Sequence, residues 1–315
     1  MTQIPIMGDG LPQPLLEMLG AEFEVLPWDD APDSPALARA EAIIAYGHPQ
    51  VDGPMLDRAP QLKVISNHGV GVDHIDVAAA LQRGIPVGNT PGCLDAATAD
   101  MTMTLMLAVA RNVVVGVQYA RSPEFLHYDP AILIGQEVTG SKLGIIGMGR
   151  IGKQVAKRAA GFDMQITYHN RHRDSEAERD YGAEYRSLDD LLAESDFVAL
   201  NCPLTLETTG LISGPQFAIM KSSAILINMA RGPVVDPAAL FTALSTGQIA
   251  AAGIDVTDPE PLPRGHELLT LENLIITPHL GSASNRTRER MMRMTVENLR
   301  AGVQGKPLPY SVERN

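Results

Sequence analysis

Short apolar runs, spaced by longer stretches of mixed character, set the rhythm of this chain. In the first third, Ile4–Met7, Phe23–Leu26, Ala42–Ala45, 64–66 and 87–89 read as strands. Residues 11–19, 54–59 and 76–83 lie between them and read as helices or turns. That alternation predicts a small parallel α/β domain. Residues 98–110 then form a long run rich in Met, Leu and Ala, apolar all round, which predicts a helix buried on several sides. A second βα series starts at 143–146, with a helix-like stretch at 151–160. Further strands are expected at 165–168, Phe197–Leu200, 224–228, 252–255 and Leu274–Ile276. A last helix, about 284–302, mixes Arg, Glu and Met at helical spacing. Residues 121–140 lack strong periodicity. Pattern alone therefore predicts two α/β domains in sequence.

Composition narrows the picture. A length of 315 residues suits about two domains. The 45% hydrophobic content is enough for sizeable cores. A net charge of −12 argues against a nucleic-acid partner, because phosphate contacts need basic surface. It leaves room for an anionic substrate, which needs only local positive charge. No apolar run is long enough to span a bilayer, and the first seven residues read as a strand rather than a signal peptide. Cys93 and Cys202 fit neither a disulfide framework nor a zinc spacing, so both are expected to be buried free thiols. No metal is expected, and a cytoplasmic protein is.

The candidate chemistry lies just past the later strands. Arg231, Glu260 and His279 each follow a run that reads as a buried strand, and in an open parallel sheet the carboxyl ends of the strands form the ligand crevice. The set suits reduction of a 2-keto acid. Arg231 would hold the carboxylate through its planar fork, His279 would supply a proton, and Glu260 would keep the imidazole charged. Upstream, Gly147-Met148-Gly149-Arg150-Ile151-Gly152 stands between a strand and a helix. In that context GxGxxG is a strong dinucleotide signal: a tight turn at Gly147, pyrophosphate approach at Gly149 and close helix packing at Gly152. Phosphates would meet the N–H groups of a helix opening at Arg150 and Ile151.

With these phrases in view, the chain resembles the D-2-hydroxyacid dehydrogenase family, and within it the glyoxylate/hydroxypyruvate reductases. The resemblance also rests on Gly69-Val70-Gly71-Val72-Asp73, Asn89-Thr90-Pro91-Gly92, Ala97-Thr98-Ala99-Asp100 and Asn201-Cys202-Pro203-Leu204-Thr205, and on the spacing of Arg231, Glu260 and His279. It implies a Rossmann-type doubly wound cofactor domain, 98–283, inserted into a smaller flavodoxin-like α/β substrate domain, 1–97 plus 284–315. It implies that backbone N–H groups of Val70 and Gly71 bind the substrate carboxylate together with Arg231. Thr98, Pro203, Thr208, Asp255 and Gly281 become cofactor contacts, Asp255 through the nicotinamide amide unless it only caps a turn. It further implies a homodimer built mainly by the cofactor domain. The tryptophan usual near the pocket is missing, and Phe125 or Tyr128 is the expected stand-in. His68, beside the Gly69 turn, is the one other histidine expected to reach substrate.

Cofactor choice rests on position 170. NAD enzymes of the family carry an acid there, which repels a 2′-phosphate. Here it is Asn170, followed by Arg171 and Arg173. NADP(H) is therefore favoured, with NAD(H) possible. The alternatives are a dehydrogenase of a bulkier 2-keto acid or of another small anion, or a non-enzymatic dinucleotide-sensing protein resembling the corepressors of this fold. Turnover distinguishes that last class from the others.

Overall fold

A computed structural model describes residues 3–312. The chain divides into two compact units, Met1–Leu94 with Ser284–Asn315, and Asp95–Ala283. The resemblance put the first boundary at 97. It falls at Leu94 because the helix expected from 98 already starts at Asp95.

The first unit holds a five-stranded sheet: β1 (Ile4–Met7), β2 (Phe23–Leu26), β3 (Ala42–Ala45), β4 (Val64–Asn67) and β5 (Val87–Gly88). All pairs are parallel and the order is β2-β1-β3-β4-β5, the flavodoxin-like order. β3 and β4 are buried at every position, which requires cover on both faces. One cover is the helix Asn285–Val303, whose Met292, Val296 and Leu299 pack with Ile6, Ile44 and Val64. Full burial of such side chains contributes about 1.5–3 kcal/mol each. Gly302 lets the helix approach, since a Cβ there would lie 2.4 Å from the Val64 Cβ.

The second unit holds seven parallel strands: β6 (Lys142–Ile146), β7 (Gln165–His169), β8 (Glu184–Tyr185), β9 (Phe197–Leu200), β10 (Ile225–Asn228), β11 (Ala251–Ile254) and β12 (Leu274–Ile276). Their order is β12-β11-β10-β9-β6-β7-β8. The chain reverses its direction of growth at β6, so the sheet is doubly wound, with its switch point between β6 and β9. Two apolar clusters cover the two faces. One includes Met103, Leu105, Met106 and Val109 of the helix Asp95–Ala110, which is buried on most sides as its all-apolar pattern predicts. Registers align Leu200, Asn228, Ile254 and Ile276 at neighbouring strand ends. The loops starting at Asn201, Met229, Asp255 and Thr277 therefore emerge side by side.

Several helices are additions to the sequence reading, among them Val113–Arg121, Ser175–Tyr181, Leu188–Glu194 and Pro237–Ser245. Between Arg121 and Lys142 there is neither helix nor strand, in keeping with the missing periodicity. Among the described residues, no single helix is long and apolar enough to cross a membrane.

Candidate active site

The glycine turn follows β6. Gly147 has φ +98°, and a Cβ on it would lie 2.5 Å from the Cys202 nitrogen. Only glycine fits, both for conformation and for the close pass of the chain leaving β9. A Cβ on Gly152 would lie 2.2 Å from the Gly147 carbonyl oxygen, so helix and turn touch through their backbones. Gly149 faces open space at the start of the helix Arg150–Ala160, and no side chain caps that end. The first-turn N–H groups of a helix have no intrahelical acceptor. A glycine turn, an open approach and uncapped amides together fit the pyrophosphate of a dinucleotide.

The edge beside this turn is less simple than the sequence suggested. Asn170 Oδ1 accepts the Met148 N–H at 2.8 Å, so the side chain holds the glycine turn itself. Arg171 is exposed and makes no ion pair among the described residues. Arg173, expected to face a phosphate, forks onto the Glu178 carboxylate with bonds of 2.9 and 3.0 Å. The partner lies one turn into the helix Ser175–Tyr181, which the sequence reading left out. After β9, the Thr208 hydroxyl donates to the Pro203 carbonyl at 2.7 Å and accepts the Thr205 N–H at 2.8 Å, closing a small loop.

Three further strand ends bring the catalytic candidates together. Past β10, Asn228 Oδ1 accepts the Ala230 N–H and its Nδ2 donates to the Arg231 carbonyl, which fixes the turn that carries Arg231. Next to it, a Cβ on Gly232 would fall 2.0 Å from the Thr257 carbonyl oxygen. The Arg231 turn thus abuts the loop after β11, and only glycine permits that contact. On that loop, Glu260 Oε2 accepts the Thr257 N–H at 3.3 Å, while Oε1 lies 2.7 Å from His279 Nδ1. A carboxylate only accepts, so Nδ1 carries the proton.

His279 sits at φ +56°, an uncommon conformation for a side chain of this kind. Asp255 holds it there. The Asp255 carbonyl accepts the His279 N–H at 2.9 Å. Asp255 is only 2% exposed, and its carboxylate accepts the Thr277 hydroxyl at 2.5 Å and the Leu280 and Gly281 N–H groups at 2.7 Å each. The described side-chain bonds of Asp255 thus go to the histidine turn at 277–281 and not to the turn that directly follows it. Gly281 is closely packed: an added Cβ would lie 3.2–3.4 Å from Met229 Cε, Asp255 Oδ2 and Thr98 Cγ2, each of which would have to give by a few tenths of an ångström.

Comparison with known proteins decides the family. The profile described as D-isomer specific 2-hydroxyacid dehydrogenase, NAD binding domain, matches residues 103–281. A glyoxylate reductase of Pyrococcus horikoshii is 44% identical over 96% of this chain and 94% of its own. The chain belongs to the D-2-hydroxyacid dehydrogenase family. It is an NAD(P)-dependent dehydrogenase. Among solved structures, the TT0316 protein of Thermus thermophilus superposes with a TM-score of 0.88 at 45% identity, covering 98% of this chain and 99% of that one. An NADPH-dependent glyoxylate/hydroxypyruvate reductase of Sinorhizobium meliloti, in complex with NADP and malonate, has a TM-score of 0.89 at 31% identity, covering 98% and 95%.

In the first unit of this dehydrogenase, Val70 and Gly71 lie on the turn after β4. Among the described residues their N–H groups donate to no protein acceptor. His68 is buried, with its ring 5.0 Å from that of Tyr46 and Nδ1 3.1 Å from the Thr295 hydroxyl. Burial, helped by the Arg288 guanidinium, lowers its pKa to about 4. The Thr295 hydroxyl donates to the Met291 carbonyl, so His68 Nδ1 must be the donor to it. The dehydrogenase's two cysteines are half-buried rather than fully buried. Desolvation pushes the Cys202 thiol up to about 11, which leaves it unreactive. Phe125 and Tyr128 are both exposed, Phe125 with its ring edge-on against Tyr119. Among the described residues, no cluster of His, Cys, Asp or Glu suits a metal.

Proposed function

We propose that this dehydrogenase reduces small 2-keto acids, glyoxylate and hydroxypyruvate, to the corresponding 2-hydroxy acids of D configuration, with NADPH as the preferred cofactor. The observation that carries the reading is the 2.7 Å pair between His279 Nδ1 and Glu260 Oε1, on loops flanked by the Arg231 turn. When bound, the nicotinamide supplies hydride to the carbonyl carbon. His279 Nε2–H donates the proton to the carbonyl oxygen. Glu260 holds the opposite ring nitrogen and offsets the imidazolium charge, so the ring stays oriented and ready to donate. Arg231 forks onto the substrate carboxylate, a match that lysine cannot make. The N–H groups of Val70 and Gly71 donate to the same carboxylate. Asp255 keeps a lone pair on Oδ2 beyond its bond to Gly281 for the nicotinamide amide.

The glyoxylate reductases among the relatives support the substrate class, and the S. meliloti reductase supports the cofactor. Within the chain, NADPH preference rests on Asn170 and on the exposed Arg171. Arg173 serves a 2′-phosphate only by leaving Glu178. A panel of 2-keto acids assayed with NADPH and NADH at the nicotinamide absorbance tests the whole reading. Glyoxylate and hydroxypyruvate should give the highest kcat/KM. No turnover of any 2-keto acid with either cofactor would sink it.

We also propose a homodimer formed by the second unit. Val113, Val114 and Val117 are exposed on one helix, as are Ile132, Leu133 and Ile134 on the segment beside it, next to a cleft of about 280 Å³. Sedimentation showing only a 33.8 kDa species at micromolar concentration would refute this.

A further inference from the structure

Asn67 ends β4 and is only 1% exposed. Its amide nitrogen donates to the carbonyl oxygens of Gly69 at 3.1 Å and Gly71 at 2.8 Å. Both protons of the nitrogen are then in use. The amide oxygen faces His74 Nε2 at 3.1 Å and accepts from it, so Nε2 must carry a proton. His74 is itself buried, its ring 5.0 Å from that of His48. A second amide completes the hold. Asn89 Nδ2 donates to the Val70 carbonyl at 2.8 Å, and the Thr90 N–H donates to that of Gly69 at 3.0 Å.

Three successive carbonyls, those of Gly69, Val70 and Gly71, are thus each tied to a donor. In a trans peptide the N–H points opposite to the C=O. The Val70 and Val72 N–H groups therefore point away from the Asn67 amide, and the Gly71 N–H points away from Asn89. Among the described residues, none of these three donates to a protein acceptor. Successive free N–H groups on a turn make a concavity for an anion.

We propose that Asn67, held in orientation by His74, is a positioning residue for the substrate carboxylate: it sets the direction of the backbone donors and does not touch substrate itself. This rests on the reading that Val70 and Gly71 bind that carboxylate. An amide is required at position 67 because the side chain must donate twice toward the turn and accept once from His74. A carboxylate has the same shape and can accept from His74, but it would turn an oxygen toward two carbonyl oxygens and place negative charge behind an anion site. A side chain that merely tied the loop would affect stability without touching substrate affinity.

The test is steady-state kinetics with glyoxylate at saturating NADPH, together with inhibition by oxalate as a non-reacting dicarboxylate probe. Asn67→Asp should raise the KM for glyoxylate and the Ki for oxalate together by tenfold or more, the scale of losing one charge-assisted bond. NADPH affinity should stay within about twofold by that same scale. His74→Leu should raise KM in the same direction. His74→Gln, which restores an N–H donor to the Asn67 oxygen, should recover most of the wild-type value. Unchanged KM and Ki in Asn67→Asp would overturn the proposal, as would a loss confined to kcat. A His74→Gln enzyme no better than His74→Leu would remove His74 from it. Should wild type turn over no 2-keto acid, the proposed activity has failed instead, which this design reads separately.

Discussion

Replacing Asp255 by Asn probes the turn that carries His279, the proposed proton donor. Four bonds to residue 255 define that turn, one to its carbonyl and three to its carboxylate. Asn keeps the carbonyl bond but has only one acceptor oxygen on its side chain. Were its nitrogen at the Oδ1 position, it would face both the Thr277 hydroxyl and the Leu280 N–H. At the Oδ2 position it faces the Gly281 N–H alone, so this is the less costly orientation. One bond to a charged acceptor is then lost, about 1.5–3 kcal/mol, and a buried N–H is left facing another donor. With His279 already at a left-handed φ, the turn has a nearby way to relax, because that conformation itself costs of order 1 kcal/mol. The expected loss is about 2–3 kcal/mol, or roughly 5–10 °C in melting midpoint for a domain of this size. The kcat for glyoxylate should fall by about tenfold or more as His279 Nε2 leaves its place. Melting by circular dichroism and steady-state kinetics measure the two effects. An Asp255→Asn protein with wild-type melting and wild-type kcat would show that the carboxylate does not hold this turn.

Three further outcomes are expected. His279→Ala should lower kcat by about 10²–10⁴-fold with NADPH binding intact, and Glu260→Gln should lower it less, since the ring keeps a weaker acceptor; stopped-flow turnover checks both. Asn170→Asp is a clean test of cofactor choice: the new carboxylate can still accept the Met148 N–H, so the glycine turn survives and only charge is added. The ratio of kcat/KM values should swing toward NADH by about tenfold or more, whereas Arg171→Ala should weaken NADPH alone; equal effects on both cofactors would dismiss the phosphate reading. Acid stability should report His68. Its folded pKa of about 4 lies below the ordinary 6.5, so between those values the unfolded chain takes up a proton that the folded one refuses. Stability should fall as pH drops through that window by about 3 kcal/mol. His68→Asn keeps a donor for Thr295 without a titrating group, and urea unfolding from pH 7 to 4 should show a flatter profile; identical slopes would refute the assignment.

The strands were legible because both sheets are parallel and covered on both faces, which compresses each strand into a short apolar run such as Val64-Ile65-Ser66. The glycine turn was legible because close backbone contacts at Gly147 and Gly152 demand glycine at a fixed offset, with open space kept at Gly149 between them. The charged helix Ser175–Tyr181 was missed because it shows little apolar periodicity. Its Asp174 cap, bonded to the Ala177 N–H, was the available signal. That omission also hid Glu178, the partner that occupies Arg173. Asp255 was placed at a strand end correctly, but its bonds reach Thr277, Leu280 and Gly281, far along the chain, and no local pattern announces them. Asn67 binds carbonyls only two and four residues ahead. Its role was within reach of the sequence but demanded knowing which way each peptide plane turns.

The helix Asn285–Val303 completes a core begun at β1, with Gly302 seated on Val64. During synthesis, the strands made first wait longest for their cover. The second unit is continuous from Asp95 to Ala283 and has everything it needs once its last strand has emerged from the ribosome. The first unit must hold β3 and β4, buried at every position in the finished protein, without one of their faces covered until the final helix arrives. Order of manufacture and order of completion are therefore reversed in this chain. A ribosome stalled before residue 285 would release a finished cofactor-binding unit attached to a sticky, half-built sheet.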